Sequence, residues 1–285
     1  MRWRSTGNSS TPWSGSRRQM AENNEFAGRF KKAIERNFDE SAGIYDAFEE
    51  KHHLFSTLTN RLCELIAPNE PERILDVGCG TGISTLALYN AYPKSPIIYA
   101  IDLSEAMLVR ARERCKGHSG IYFVRGDAEQ LSSYFHEKFD AVFYTASIFL
   151  IPRFSESIAQ ACGLIIPGGV LAISFYTGIF DDSREDAINR VFPDMKYQYG
   201  AVAFPELMEC LDAQKSYKGT EVDFHFEINR EFLFDFLSIP AQSAGLFPKV
   251  PYIQRIPLVR EFCDKLAGEV SPLFMGWKFV ISRKR

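Results

Sequence analysis

The chain has 285 residues, 46% of them hydrophobic and 24% charged, so it can bury a large core and is not a disordered chain. This length suits one α/β domain with an appended element, or at most two domains. The net charge of −3 and the pI near 6.0 argue against a dedicated nucleic-acid surface. The absence of a long apolar run argues against a membrane span.

Cysteine usage gives no sign of a metal site. The six cysteines are widely separated, with no C-x-x-C pair and no Cys/His cluster among them. Zinc sites and disulfide frameworks need such groupings. We therefore expect no metal, and reduced thiols in a cytoplasmic protein.

The first 22 residues are rich in Arg, Ser and Gly and contain no acid before Glu22. This composition cannot build a core, so residues 1–22 are predicted to be a disordered leader. An organellar targeting segment is also Arg-rich, Ser-rich and acid-poor. A cloning scar and an upstream start ahead of Met20 are further alternatives.

Helical periodicity follows the leader. Four apolar side chains recur at steps of four residues, namely Phe26, Phe30, Ile34 and Phe38. Because this spacing places them on one face of a helix, residues 23–70 are predicted to form an N-terminal helical cap.

The segment from Ile74 to Gly82 reads ILDVGCGTG, an apolar strand that leads into a turn with glycine at every second position. Glycine adopts positive φ at low cost and lets a ligand lie against the backbone. A helical run, Ile83 to Tyr89, comes directly afterwards. The pattern predicts a loop that holds a cofactor at a helix N-terminus.

A dinucleotide site is the rival interpretation of this loop. Its G-x-G-x-x-G fingerprint would need a third glycine where the chain has Ile83 or Thr85. Asp76 lies at the strand end, where a carboxylate repels a diphosphate but attracts an ammonium group, directly or through a water. The residues therefore favour a zwitterionic amino-acid cofactor.

Two further predicted strands also lead to acids. A buried strand from Pro96 to Ile101 ends at Asp102, where a carboxylate can accept both hydroxyls of a ribose. Ser104 then caps the next helix. A third strand, Ile121 to Val124, is followed shortly by Asp127.

The next segments continue the alternation of strands and helices. A fourth strand is predicted from Phe139 to Tyr144, and a helix from about Phe154 to Ile165. The turn Pro167-Gly168-Gly169 then leads into a fifth strand, Val170 to Phe175. Alternating strands and helices are typical of a parallel sheet.

In order and spacing these segments resemble the motifs of the class I S-adenosylmethionine-dependent methyltransferases of the small-molecule type. The likeness covers residues 73–175 and includes the glycine loop, the stretch IDLSEAML, the acid after the third strand and the PGG turn. It implies an α/β fold with a doubly wound, mostly parallel seven-stranded sheet of Rossmann-like type. N-terminal helices and an insertion after the fifth strand would flank a cofactor-binding core at residues 71–176.

The resemblance implies S-adenosylmethionine as the cofactor. Asp102 would bind the ribose, Asp127 the adenine amino group, and the Ala128 amide a ring nitrogen. The full predicted set of cofactor-binding residues is Asp76, Gly78, Cys79, Gly80, Gly82, Asp102, Leu103, Met107, Asp127, Ala128 and Tyr144.

The acceptor side is also predicted from the resemblance. The end of the fourth strand faces the methyl group in this family, and a tyrosine in the segment before the core often lines the substrate cavity. The candidate substrate residues are Tyr45, Ser147, Phe149 and Tyr176, and the candidate catalytic residues are Tyr45, His53, Tyr144 and Ser147. A general base is needed only if the attacking atom must lose a proton.

Past Tyr176 the chain leaves the motif region. Residues 177–220 are rich in aromatics and are predicted to be an insertion that acts as a lid. Residues 221–285 are predicted to complete the sheet with an alternating strand at 222–228, two helices around a Pro-rich loop, and a last strand at 273–282. By the resemblance, this last strand inserts between its neighbours.

The predicted function is methyl transfer to a small-molecule acceptor by in-line displacement, with no nucleic-acid partner. A non-catalytic S-adenosylmethionine-binding regulator or partner protein is the alternative. A dinucleotide-dependent oxidoreductase is disfavoured because its glycine spacing is absent. The sequence leaves open which acceptor is used, which atom is methylated and the oligomeric state.

Overall fold

A seven-stranded sheet forms the centre of the structure, a computed structural model that describes residues 17–67, 70–195, 202–214 and 217–285. The strand order across the sheet is β3-β2-β1-β4-β5-β7-β6. The strands are β1 Arg73–Val77, β2 Ile97–Asp102, β3 Ile121–Arg125, β4 Phe139–Thr145, β5 Ile165–Phe180, β6 Tyr217–Ile228 and β7 Leu273–Lys284.

The pairing of these strands confirms the predicted fold class. Strands β1 to β5 run parallel, whereas β7 is antiparallel to both β5 and β6. The last strand of the chain therefore inserts between its neighbours, as the resemblance implied. The result is a mostly parallel, doubly wound α/β sheet.

Helices precede the sheet, connect its strands and follow β6. They are α1 Arg17–His52, α2 Leu54–Ile66, α3 Ile83–Ala91, α4 Glu105–Arg114, α5 Leu131–Tyr134, α6 Phe154–Leu164, α7 Ala187–Val191, α8 Phe204–Asp212, α9 Arg230–Leu237, α10 Pro240–Leu246 and α11 Tyr252–Glu269. Short 3₁₀ turns lie at Ala128–Gln130 and Ile148–Leu150.

Local sequence explains where the central elements begin and end. Ile74, Leu75 and Val77 are fully buried because helices cover both faces of a parallel sheet. Helix α4 begins behind Ser104, whose Oγ accepts a hydrogen bond of 3.1 Å from the Met107 amide and so satisfies one free donor of the first turn.

The N-terminal region consists of two helices. Residues 1–16 of the predicted leader lie outside the described residues, and α1 begins at Arg17. His53 separates α1 from α2 with a left-handed backbone, φ = +50°. This residue turns the chain so that α2 packs beside α3 and β5.

The C-terminal region differs from the prediction in three places. Strand β6 begins at Tyr217 rather than at residue 222, and so extends into the predicted insertion. Strand β5 continues to Phe180, which pairs with Phe274 of β7. The predicted Pro-rich loop contains α10 and the start of α11, because Pro240 occupies a first helical position, where its missing N–H costs no hydrogen bond. Residues 196–201 and 215–216 of the predicted insertion lie outside the described residues.

In the described part of the chain, no helix combines the length and the apolar character that crossing a membrane requires. The same residues contain no group of three or more His, Cys, Asp or Glu side chains arranged to hold a metal ion.

Candidate functional site

The glycine loop connects β1 to α3 at the carboxyl edge of the sheet. Gly78, Gly80 and Gly82 have φ values of +75°, +54° and +81°, a region that other residues occupy only at a cost. The amides of Gly78 and Cys79 both donate to the Ile101 carbonyl, at 2.8 and 3.1 Å. The loop is therefore fixed against the end of β2 by its own backbone.

Two of the glycines are also required by close contacts. A Cβ on Gly78 would lie 2.5 Å from the Cβ of Ser147, and one on Gly82 would lie 3.0 Å from the Cα of Ala111. Gly82 does not line the cleft described below; it allows α3 to approach α4. The structure thus gives Gly82 a packing role, and its predicted contact with the cofactor stays a prediction.

Asp102, the last residue of β2, binds the backbone of the glycine loop. Its Oδ2 accepts the Gly80 amide at 2.8 Å, and its Oδ1 accepts the Ser104 amide at 2.9 Å. Burial raises the pKa of Asp102, and these two amide donors oppose the rise because they favour the charged form. A carboxylate has about four acceptor positions, so both oxygens can still accept ribose hydroxyls.

Asp127 follows β3 at the far end of the same edge. Its Oδ1 accepts the Glu129 amide at 2.9 Å, and its Oδ2 forms an ion pair of 2.7 Å with Lys31 Nζ. Ala128 begins the 3₁₀ turn directly after it. Helix α1 thus reaches the end of β3, where Asp127 is predicted to bind the adenine amino group.

Asp76 lies below the glycine loop rather than on the cleft wall. It is completely buried, and its Oδ2 accepts the hydroxyls of Ser84 and Thr85 at 2.7 Å each. Burial raises the pKa of Asp76 to about 6, against the opposing effect of these two hydroxyls. Since Ser84 itself lines the cleft, Asp76 would act on a ligand through this hydroxyl or through water.

A cleft runs along the carboxyl edge of the sheet between these loops and the N-terminal helices. Its volume, including the open mouth, is about 980 Å³, which is large enough for a cofactor. The strand ends β3, β2, β1 and β4 form its floor. Its roof is formed by side chains of α1 and α2, namely Lys31, Ile34, Glu35, Phe38, Tyr45 and Phe55.

Many of the predicted site residues line this one cleft. They are Tyr45, Gly78, Cys79, Gly80, Asp102, Leu103, Met107, Asp127, Ala128 and Ser147.

Three of these side chains have contacts or burial that limit their chemistry. Tyr45 stacks on Phe55 with ring centroids 4.5 Å apart. Ser147 donates its hydroxyl proton to the Val77 carbonyl at 2.6 Å. Burial raises the pKa of the Cys79 thiol well above its usual value.

Tyr144 lies outside the cleft lining, so the geometry gives no support to its predicted cofactor and catalytic roles. It is completely buried, and its hydroxyl lies 2.7 Å from the Ser157 hydroxyl on α6. Successive residues of a strand point to opposite faces of a sheet. The next residue, Thr145, is therefore the one that lines the cleft.

Three other predicted residues also lie away from the cleft. Phe149 packs against Phe175 at 5.4 Å, and Tyr176 packs against Trp277 at 5.4 Å, so both belong to the buried core rather than to the cleft lining. His53 is exposed at the junction of α1 and α2. The substrate roles of the two aromatics and the catalytic role of the histidine therefore stay predictions without support from the cleft geometry.

Several cleft residues were missed by the sequence analysis, above all Lys31, Phe55, Thr81, Ser84 and Thr145. The helical periodicity could have indicated that Ile34 and Phe38 share a face with Lys31, since positions i, i+3 and i+7 of a helix lie together. No local signal indicated which surface that face would cover.

The cleft fits the methionine portion of S-adenosylmethionine. Near the ends of β1 and β4, Thr81 Oγ1 and Thr145 Oγ1 line the cleft and have no hydrogen-bond partner among the described residues, and the same holds for Asp76 Oδ1 beneath the loop. Because buried polar groups are nearly always paired, a ligand with ammonium and carboxylate groups could pair with the two hydroxyls directly and with Asp76 through a water. Asp102 and Asp127 provide acceptors for the nucleoside portion.

Comparisons with known proteins identify a methyltransferase domain in this chain. Residues 74–169 match a family model described as a methyltransferase domain. Over 157 residues the chain is 31% identical to malonyl-(acyl-carrier protein) O-methyltransferase of Halalkalibacterium halodurans, covering 51% of this chain and 55% of that protein. Over 150 residues it is 33% identical to trans-aconitate 2-methyltransferase of Acidovorax sp. (strain JS42), covering 52% and 54%. The chain thus spans about half the length of these curated relatives.

Solved structures support the fold. The (4+2)-cyclase SpnF superposes with a TM-score of 0.60 at 17% identity, covering 89% of this chain and 96% of that one. Identity this low speaks only for the fold, and one fold can support different reactions. Three observations agree: the glycine loop with acids at consecutive strand ends, the strand order and the matched domain. Residues 74–169 of this chain therefore form a methyltransferase domain with the class I fold.

Proposed function

We propose that the protein transfers a methyl group from S-adenosylmethionine to a small-molecule acceptor by in-line displacement. The order of groups along the cleft supports this proposal. Asp127, Asp102 and the glycine loop follow one another at the ends of β3, β2 and β1. They suit adenine, ribose and methionine in that order, which leaves the end of β4 for the methyl group and the acceptor.

When bound, the cofactor supplies a methyl group on a sulfonium, which needs no acid to leave. The protein's contribution is therefore to align the acceptor and to exclude water. Tyr45 and Phe55 cover the cleft with stacked rings, and the ring centroid of Phe38 lies 6.2 Å from that of Tyr45. We assign these three aromatic side chains to the apolar wall against which the acceptor is held.

The chemistry near β4 favours an acceptor atom that is already deprotonated. The described side chains lining the ends of β1 and β4 are hydroxyls, the Cys79 thiol and apolar groups, none of them a carboxylate or an imidazole. Ser147 already donates its proton to the Val77 carbonyl. A carboxylate oxygen needs no base, and malonyl and trans-aconitate, named in two relatives, both carry carboxylates. We therefore propose a carboxylate acceptor.

Calorimetric titration with S-adenosylmethionine and S-adenosylhomocysteine tests the cofactor part of the proposal. We expect both to bind, NADH not to bind, and Asp102→Ala to lose about 100-fold in affinity, because it removes charge-assisted hydrogen bonds to the ribose. Glu105→Ala, which changes an exposed acid paired with Arg112, serves as the matched control. Failure of the wild type to bind either sulfur ligand would refute the proposal.

Transfer is tested with methyl-labelled S-adenosylmethionine and trans-aconitate or malonyl thioesters as probes. Formation of labelled methyl esters supports a carboxylate acceptor. Label transferred only to amines or phenols contradicts that choice while leaving methyl transfer intact. Tight cofactor binding without transfer to any of these classes favours a non-catalytic binding protein.

A further inference from the structure

Helix α1 covers the nucleoside end of the cleft with a stripe of side chains at helical spacing. Lys31, Ile34, Glu35 and Phe38 all line the cleft, at positions i, i+3, i+4 and i+7, which share one helix face. This stripe lies outside the matched domain at residues 74–169. Whatever it contributes to the site is therefore supplied by the N-terminal region.

Lys31 is the charged member of this stripe that is held most deeply. Its side chain is 17% exposed, and its Nζ forms ion pairs with both Asp127 and Glu129. The Glu129 side chain is completely buried, and the oxygen that pairs with Lys31, Oε2, also pairs with Arg153 Nε at 2.7 Å. Two carboxylates and two cations thus form one network beneath α1.

The charges in this network depend on Lys31. Without Lys31, the two carboxylates of Asp127 and the buried Glu129 would be compensated by Arg153 alone, and an unbalanced buried charge is costly. Repulsion from Glu129 would then favour movement of the Asp127 side chain away from the cleft. Asp127 Oδ1 would still accept the hydrogen bond from the Glu129 amide. Asp127 Oδ2 would no longer be held in place, because its ion pair with Lys31 would be absent.

We propose that Lys31 is a positioning residue of the cofactor site, which holds the Asp127 carboxylate in place for the adenine amino group and fastens α1 over the bound nucleoside. This inference rests on the proposed function. Because Oδ2 of a carboxylate can accept more than one donor, Asp127 can bind Lys31 and an adenine amino group together. Nucleoside binding and closure of α1 are then coupled through a single ion pair.

The test compares Lys31→Met with Lys32→Met. Lys32 is the next residue of the same helix and is exposed, so the control removes the same charge from the same element. The probes are S-adenosylhomocysteine and 5′-methylthioadenosine, which shares the nucleoside but lacks the amino acid. We expect Lys31→Met to weaken both ligands by about tenfold or more, Lys32→Met to change both by less than about twofold, and Lys31→Arg to restore most of the loss.

Amide hydrogen exchange of α1 supplies a readout that a merely structural lysine would not change. At saturating S-adenosylhomocysteine, we expect α1 to be protected in the wild type and in Lys32→Met but to remain fast-exchanging in Lys31→Met. Equal affinity and equal ligand-induced protection in Lys31→Met would overturn the inference, even if the variant melted at a lower temperature. If the wild type bound neither probe, the proposed function itself would fail, and this inference with it.

Discussion

The floor and the roof of the cleft are held by different kinds of interaction. In the floor, backbone amides and neighbouring strand ends fix one another, as where Asp102 accepts the amides of Gly80 and Ser104. In the roof, the end of α1 near the start of the chain is held by side-chain ion pairs between residues far apart in sequence, such as Lys31 with Asp127. The later part of α1 also packs into the core, through Phe48 against Phe232 and Phe236. The floor is therefore expected to be rigid, and the roof is the part that can open.

This difference fits the requirements of a site that must close over its ligand. A loop fixed by backbone geometry is preorganised and costs little to order on binding. A roof fastened by partly exposed ion pairs opens at a modest free-energy cost, because such pairs are weak in water. Substitutions in the floor should therefore have larger effects than substitutions in the roof.

The largest effect is expected for Gly78→Ala. The new Cβ would lie 2.5 Å from the Cβ of Ser147 at a φ of +75°, so steric overlap and backbone strain add, together about 2–4 kcal/mol of destabilisation. Gly80→Ala is the matched control, since its φ is +54° but nothing lies within 4 Å of the new Cβ.

Urea unfolding and titration with S-adenosylhomocysteine measure this contrast. We expect Gly80→Ala to cost about 1–2 kcal/mol from strain alone and Gly78→Ala to cost more and to lose ligand binding. Equal costs for the two variants would mean that the contact with Ser147 relaxes freely, and would count against a rigid floor.

A second large effect concerns the buried charge below the floor. Burial raises the pKa of Asp76 to about 6, above the unfolded value near 3.9, so the folded state binds more protons between these pH values. Stability from this group is complete below about pH 4 and is lost as the pH rises through about 6. Asp76→Asn removes this dependence.

Unfolding free energies of the wild type and Asp76→Asn, measured from pH 4 to pH 7, test the assignment. The wild type should lose about 1–3 kcal/mol relative to the variant across this range. Parallel pH profiles would show that Asp76 is not desolvated as the structure indicates. Ser84 and Thr85 can donate to the Asn carbonyl oxygen as they do to the carboxylate, so the variant retains their hydrogen bonds.

The floor was largely predictable from sequence, because its signals are local. An apolar run followed by closely spaced glycines identifies a strand and a ligand-binding turn within a few residues, and Asp102 and Asp127 each follow such a run. Their side chains meet in one cleft because parallel strands bring their carboxyl ends to the same edge. The insertion of the last strand between its neighbours followed from the family resemblance rather than from any local pattern.

The structure places Thr145, rather than the predicted Tyr144, in the cleft lining. Tyr144 and Thr145 are both buried, since each face of the strand is covered by helices, so hydrophobicity does not show which face points to the cleft. A choice shifted by one residue then selects the wrong face. Lys31 was not predicted for another reason: its partners Asp127 and Glu129 lie 96 and 98 residues away in sequence, and no pattern on α1 indicates them.

Arg114 offers a smaller effect that bears on the connection between roof and floor. Its guanidinium pairs with Asp46 of α1 at 2.6 Å and donates from Nε to the Thr81 carbonyl of the glycine loop at 2.9 Å. We expect Arg114→Met to cost about 1–2 kcal/mol in unfolding free energy. Arg112→Met, which breaks an exposed pair with Glu105, should cost at most about 0.5 kcal/mol. Similar losses of unfolding free energy for the two variants would mean that Arg114 does not connect α1 to the glycine loop.

The smallest effect is expected for Glu35→Gln, one helical turn after Lys31. Glu35 pairs with Arg125 at 3.0 Å, but the Arg125 side chain is 56% exposed, so water and salt screen the pair. We expect less than about 0.5 kcal/mol in stability, less than a twofold change in S-adenosylhomocysteine affinity, and no difference from the wild type in 0.5 M NaCl (about 4 Å screening length). If Glu35→Gln lost as much S-adenosylhomocysteine affinity as Lys31→Met, exposed and buried ion pairs would contribute alike. The roof would then be held by the charges along α1 together and not mainly by Lys31.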